Sequence, residues 1–65
     1  MTIGELIKLN REQKSLSVEK LSELSCISVK AITEYEVEAR KPSIATRRVF
    51  AKIFEIDEDA LLTAK

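Results

Sequence analysis

The chain has 65 residues, with 11 Lys+Arg against 11 Asp+Glu, no His, and one each of Gly, Pro, Cys and Met. That length suits one domain, residues 1–65, burying roughly 60% of the surface its unfolded chain exposes. A lone Cys without His leaves no internal disulfide or zinc site to reinforce so thin a core. The same inventory argues against an enzyme, because it offers no His base, no Gly-rich phosphate loop and little volume for a substrate pocket. No cofactor and no metal are expected. No apolar run nears the ~20 residues of a membrane span. Acid and base within Met1–Leu9 argue against a secretory signal, and an unpaired thiol suits a reducing cytoplasm.

The elements follow from their start signals, polar side chains that accept the first free helix N–H groups. Thr2 with Glu5 forms a capping box, and Ile3, Leu6, Ile7 and Asn10 follow at three-to-four spacing, predicting a first helix over about 3–14. Ser17 caps a second helix, with Glu19 near the positive end of its dipole and Leu21, Leu24 and Ser25 behind it. Ser25-Cys26-Ile27 breaks it, and Ser28 caps a third helix carrying Ala31, Ile32 and Tyr35. Pro42 makes 37–42 a loop, since it lacks an N–H and disfavours helical geometry at Lys41. Ser43 opens a fourth helix with Ile44, Phe50, Ala51 and Phe54 on one stripe and Arg47 in its middle. Asp57 caps a short fifth helix holding Leu61 and Leu62. No period-two run competes, so the expected fold class is all-α, a compact five-helix bundle.

Zero net charge conceals an uneven layout. Glu34, Glu36 and Glu38 crowd one short stretch, whereas residues 40–54 carry Arg40, Lys41, Arg47, Arg48 and Lys52 with no acid among them. Such a block can form a local anion-binding surface on a neutral protein. The second and third helices, separated by three residues, must cross steeply, which is the geometry of a helix-turn-helix over about 17–36 or of an ordinary bent corner.

Ile3-Gly4 through Ile7 to Arg11, then Leu16-Ser17, Leu21-Ser22, Ile27-Ser28, Ile32, Glu36, Pro42-Ser43-Ile44, Ala51, Ile56 and Leu61-Leu62 fall in a familiar order and spacing. Over essentially the whole chain they resemble the Cro/phage-repressor helix-turn-helix family, whose fold is of the lambda-repressor-like DNA-binding type. The resemblance implies a transcriptional regulator, a repressor of phage, mobile-element or bacterial-operon type, that binds a two-fold operator as a homodimer. Its third helix would enter the major groove while the second lies across the phosphate backbone. Carried over by position, Ser28, Val29, Lys30, Thr33 and Glu34 would face bases, with Lys30 donating to guanine and Val29 packing on a thymine methyl. Lys14, Ser17, Arg40, Lys41 and Ser43 would meet phosphates, Ser17 by presenting a helix N-terminus. Arg11 and Glu36 match a structural ion pair joining the first helix to the end of the third.

Three positions depart from the family pattern. Val18 stands where a Gln commonly braces phosphate and recognition helix, and Cys26 and Glu38 stand where Gly is common. Cys26 in a left-handed turn would cost roughly 1 kcal/mol of strain. These departures, the neutral charge and Glu34 motivate an alternative: a module of the same fold that binds a protein, as an antirepressor or antitoxin does. Val49 and Ile53 lie off the buried stripe of the fourth helix. With Leu61 and Leu62 they form a candidate interface for a second copy or a regulatory protein, unless the fifth helix of the same chain fills that space.

Overall fold

A computed structural model describes residues 1–65. Five helices follow one another as α1 (Ile3–Gln13), α2 (Val18–Ser25), α3 (Val29–Glu36), α4 (Ile44–Phe54) and α5 (Asp59–Leu62). The first four begin where their caps predict. Thr2 and Glu5 close a reciprocal capping box, and Ser17, Ser28 and Ser43 each accept the backbone N–H three residues on, at 3.0–3.2 Å. The fifth start is shifted. Asp57 Oδ1 accepts the Asp59 N–H at 3.0 Å, but Ala60 N–H bonds the Asp57 carbonyl in a tight turn, so the helix proper begins two residues later, at Asp59.

Each of the four longer helices ends at a residue in the left-handed region: Ser15 (φ 56°), Cys26 (φ 60°), Glu38 (φ 65°) and Glu55 (φ 59°). None is glycine, although glycine adopts that conformation without a Cβ penalty. The carbonyl partners explain how three of these stops hold. Leu16, Ala39 and Ile56 each donate their N–H to a carbonyl five residues back, on Arg11, Glu34 and Ala51, at 2.8–3.1 Å. This is the Schellman closure, which satisfies carbonyls a helix end would leave open. Leu16 and Ile56 then fold back onto the core, adding an apolar contact to each stop.

Ile3 and Ile7 of α1, Leu21 of α2, Ala31, Ile32 and Tyr35 of α3, Phe50, Ala51 and Phe54 of α4 and Leu61 of α5 form one buried cluster. Its centre is aromatic: Tyr35 meets Phe50 edge-on with ring centroids 6.2 Å apart, and Phe50 stacks on Phe54 at 5.9 Å. Such geometries add about 0.5–1.5 kcal/mol per pair beyond the area they bury. Gly4 brings α1 against the end of α3, because a Cβ there would lie 2.3 Å from the Tyr35 carbonyl oxygen and 3.0 Å from that of Glu36.

Two expectations about α4 and α5 are corrected. Ile44 shares the azimuth of Ala51 but is 62% exposed, because the first turn of α4 overhangs the core and Ala45 beside it is exposed too. Leu61 is 0% exposed, so it fills the core of its own chain and cannot line an interface. Ile53, also assigned to that interface, is half-buried and packs on the core; Leu62 is half-buried and Val49 is exposed.

Candidate nucleic-acid interface

The turn between α2 and α3 is closed by two local devices. Cys26 takes the left-handed conformation and bonds its N–H to the Ser22 carbonyl, while Ser25 Oγ accepts the Ile27 N–H at 3.2 Å. α3 packs against α1 and α2 through Ala31, Ile32 and Tyr35. At 100° per residue this leaves the opposite side free. Val29, Lys30 and Thr33 are all exposed on it, and Val37, the C-cap residue, continues the same row at 66% exposure. Val37 was not among the sequence candidates, since the loop preceding Pro42 was expected to begin there; the i, i+4, i+8 spacing from Val29 was the available signal.

The starts of α2 and α4 leave backbone donors open. Ser17 Oγ occupies only the Lys20 N–H and Ser43 Oγ only the Thr46 N–H, so the amides of Val18, Glu19, Ile44 and Ala45 carry no intramolecular bond. Free N–H groups and the helix dipole together favour an anion at such a terminus. Ser28 Oγ accepts the Ala31 N–H, which keeps its hydroxyl proton available outward. Ser17, Ser28 and Ser43 are exposed.

The charged residues are placed less uniformly. Lys30 makes no ion pair. Glu34 is half-buried, and Arg40 Nη2 lies 3.2 Å from its Oε1. That oxygen is shielded from solvent and the approach is not aligned as a hydrogen bond, so charge proximity alone holds the pair. Lys41 donates to the Lys65 carbonyl oxygen, tying the loop after α3 to the last residues. Lys14 Nζ sits 2.5 Å from Glu55 Oε1, bridging the ends of α1 and α4, and this hydrogen bond holds the Glu55 carboxyl below the usual glutamate range. Of the five residues assigned to phosphates, Lys14, Arg40 and Lys41 therefore each already have an intramolecular partner.

Arg11 and Glu36 form a fork. Arg11 Nε donates to Glu36 Oε2 at 2.8 Å and Nη2 to Oε1 at 3.2 Å, while Nη1 donates to the Leu16 carbonyl at 2.8 Å. The bond to Glu36 raises the guanidinium pKa against the opposing effect of burial. One side chain thus fixes the end of α3 to α1 and closes the α1–α2 turn.

A second arginine, Arg47, has partners that sequence reasoning did not find. Nε donates to the Pro42 carbonyl at 3.1 Å, and Nη1 to those of Leu61 and Ala64 at 3.0 and 2.8 Å, with Leu62 at 3.5 Å. Its place inside the apolar stripe of α4 was the visible sign, but backbone acceptors leave no trace in sequence. No enclosed pocket is present, and no cluster of three or more His, Cys, Asp or Glu is placed to hold a metal ion. No helix is long and apolar enough to cross a membrane.

Two short helices joined by a three-residue turn, the second exposing one side, define a helix-turn-helix. The helix-turn-helix family model of the Cro/repressor type matches residues 7–61, and the chain belongs to that family. This places it among DNA-binding regulators of transcription, a family that is not one of enzymes. A search of curated proteins finds no match.

Proposed function

We propose that the protein is a repressor that binds a two-fold operator as a homodimer, with α3 in the major groove and polymerase excluded by occupancy. The observation that supports this reading best is the exposed side of α3, where Val29, Lys30 and Thr33 are not spent on the core, beside which the starts of α2 and α4 keep open backbone donors of their own. Lys30 donates to guanine O6 or N7, and the Ser28 hydroxyl serves a neighbouring base or phosphate. The Ser17 and Ser43 termini grip phosphates, with Arg40, Lys41 and Lys14 adding charge as they release their present partners. The second copy docks through Val49, Ile53 and Leu62, of which Val49 is 40% exposed.

Fluorescence anisotropy with random-sequence duplex across a salt series tests this reading. Each phosphate contact contributes about 0.9 to the slope of log K against log salt, so Lys41→Ala and Arg40→Ala should each flatten it by about one unit. An unchanged slope in both removes the proposed clamp. Absence of binding at about 50 mM salt, where even nonspecific association is measurable, overturns the DNA reading in favour of a protein-binding module.

A further inference from the structure

We infer that Arg47 is a positioning residue for the grip on the duplex backbone, holding the loop before α4 in place through the C-terminal turn of the chain. The inference rests on the DNA reading above and concerns how that site is held. Arg40, Lys41 and Ser43, all exposed and all assigned to phosphates, lie around the buried Pro42. The backbone between them has little support of its own. The Arg40 N–H bonds to the Glu34 carbonyl at 3.3 Å and the Ser43 carbonyl accepts the Arg47 N–H at 3.0 Å, but Lys41 and Pro42 take part in no backbone–backbone hydrogen bond. The backbone of these two residues makes one hydrogen bond, from Arg47 Nε to the Pro42 carbonyl at 3.1 Å.

The other end of the guanidinium decides where Nε points. Nη1 donates to the carbonyls of Leu61 and Ala64 at 3.0 and 2.8 Å. Arg47 enters no ion pair, so these carbonyls, and no carboxylate, set its direction. The Lys41 side chain adds a second link between the same two segments by donating to the Lys65 carbonyl. That link breaks when Lys41 turns to a phosphate. The Arg47 link survives, because it uses the Pro42 backbone and leaves the Lys41 side chain free to move. With the turn at 61–64 in place, the loop meets the duplex already arranged; without it, the loop must be ordered on binding. Re-fixing the backbone of a single residue lowers an affinity about 5–30-fold.

The test is a double-mutant cycle on affinity for random-sequence duplex, read by anisotropy across a salt series at a temperature where circular dichroism shows each protein folded. Arg47→Leu removes the donors and suits the apolar stripe of α4. Thr63→Pro leaves Arg47 intact and unwinds the turn from an exposed position, because proline removes the N–H that bonds the Asp59 carbonyl. Each should weaken binding about 5–30-fold, and the double variant should be no weaker than the worse single one. The salt slope should stay at the wild-type value in all three, since no phosphate contact is lost. Ile7→Val, a buried change in α1, should bind as wild type does, which separates positioning from general loss of stability; an equal loss there overturns the inference. Wild-type affinity in either single variant, or losses that multiply in the double, overturns it and leaves the DNA reading standing. So does a slope flattened by about one unit in Arg47→Leu, which makes Arg47 a phosphate contact itself. Should Arg47→Leu not fold, Thr63→Pro decides by the same criterion. Failure of the wild type to bind any duplex at about 50 mM salt overturns both readings.

Discussion

Replacing Glu36 with Ala strands the Arg11 guanidinium, whose side chain is only 12% exposed beside a carboxylate side chain at 9%. Two of its three hydrogen bonds vanish and only the Leu16 carbonyl remains. Breaking a buried pair from one side costs about 3–5 kcal/mol, and the residual solvent contact here places the loss at about 2–3 kcal/mol. A 65-residue domain has roughly 3–10 kcal/mol of stability in total, at about 0.05–0.15 kcal/mol per residue, so Glu36→Ala removes a large share. With a urea m-value of about 1 kcal/mol/M, the midpoint followed by far-UV circular dichroism should drop by about 2–3 M. Arg11→Met combined with Glu36→Leu removes both charges and should recover most of that loss. It should fall short of wild type by about 1 kcal/mol, because the Leu16 carbonyl then lacks its donor. A midpoint drop under about 0.5 M in Glu36→Ala, or a double variant as unstable as the sum of its parts, would refute the burial argument.

Gly4→Ala should lower the thermal midpoint, although alanine is the better helix former by about 1 kcal/mol. The new Cβ would stand 2.3 Å from a backbone oxygen of Tyr35, and forcing α1 and α3 apart costs about 1–3 kcal/mol or more; an increased midpoint would disprove the close approach. The acid limb of stability follows from Glu5 and Glu55, both held below the usual glutamate range, Glu5 first by the Thr2 backbone N–H and Glu55 by Lys14. Each binds a proton more weakly folded than unfolded, so their stabilisation is present above the ordinary glutamate value and is lost as pH falls through the lowered one. In urea midpoints measured against pH, Glu5→Gln and Glu55→Gln should each flatten that limb. High salt should shrink the Glu55 contribution more, because an exposed ion pair is screened and a cap hydrogen bond is not.

The caps at Thr2, Ser17, Ser28 and Ser43 were legible because a cap acts within three residues of itself. The core positions of α1 and α3 followed from helical spacing for the same reason. The stops at Ser15 and Glu55 were not: serine and glutamate are ordinary residues, and the bonds closing them come from Leu16 and Ile56 reaching back five residues. Ile44 failed because azimuth says which way a residue faces and nothing about whether a neighbour stands there. Leu61 and Leu62 are adjacent, and only the approach of α5 to α4 decides which one enters the core. On the candidate interface, the family resemblance marked Ser28, Val29, Lys30, Thr33 and Glu34 by position and did not extend to the exposed Val37. The intramolecular partners of Lys14, Arg40 and Lys41 span 41, 6 and 24 residues, separations at which charge patterns carry no pairing information.

Arg47 gives the far end of the chain its order. A helix of four residues has no standing of its own in water, since nucleation alone outweighs what so few bonds return. α5 persists because Leu61 enters the core and one guanidinium gathers the carbonyls that follow it. The same group holds Pro42, at the threshold of α4. Amide exchange in the Leu61–Ala64 turn and in the segment before Ser43 therefore belongs to a single opening event, and a perturbation that frees one frees the other.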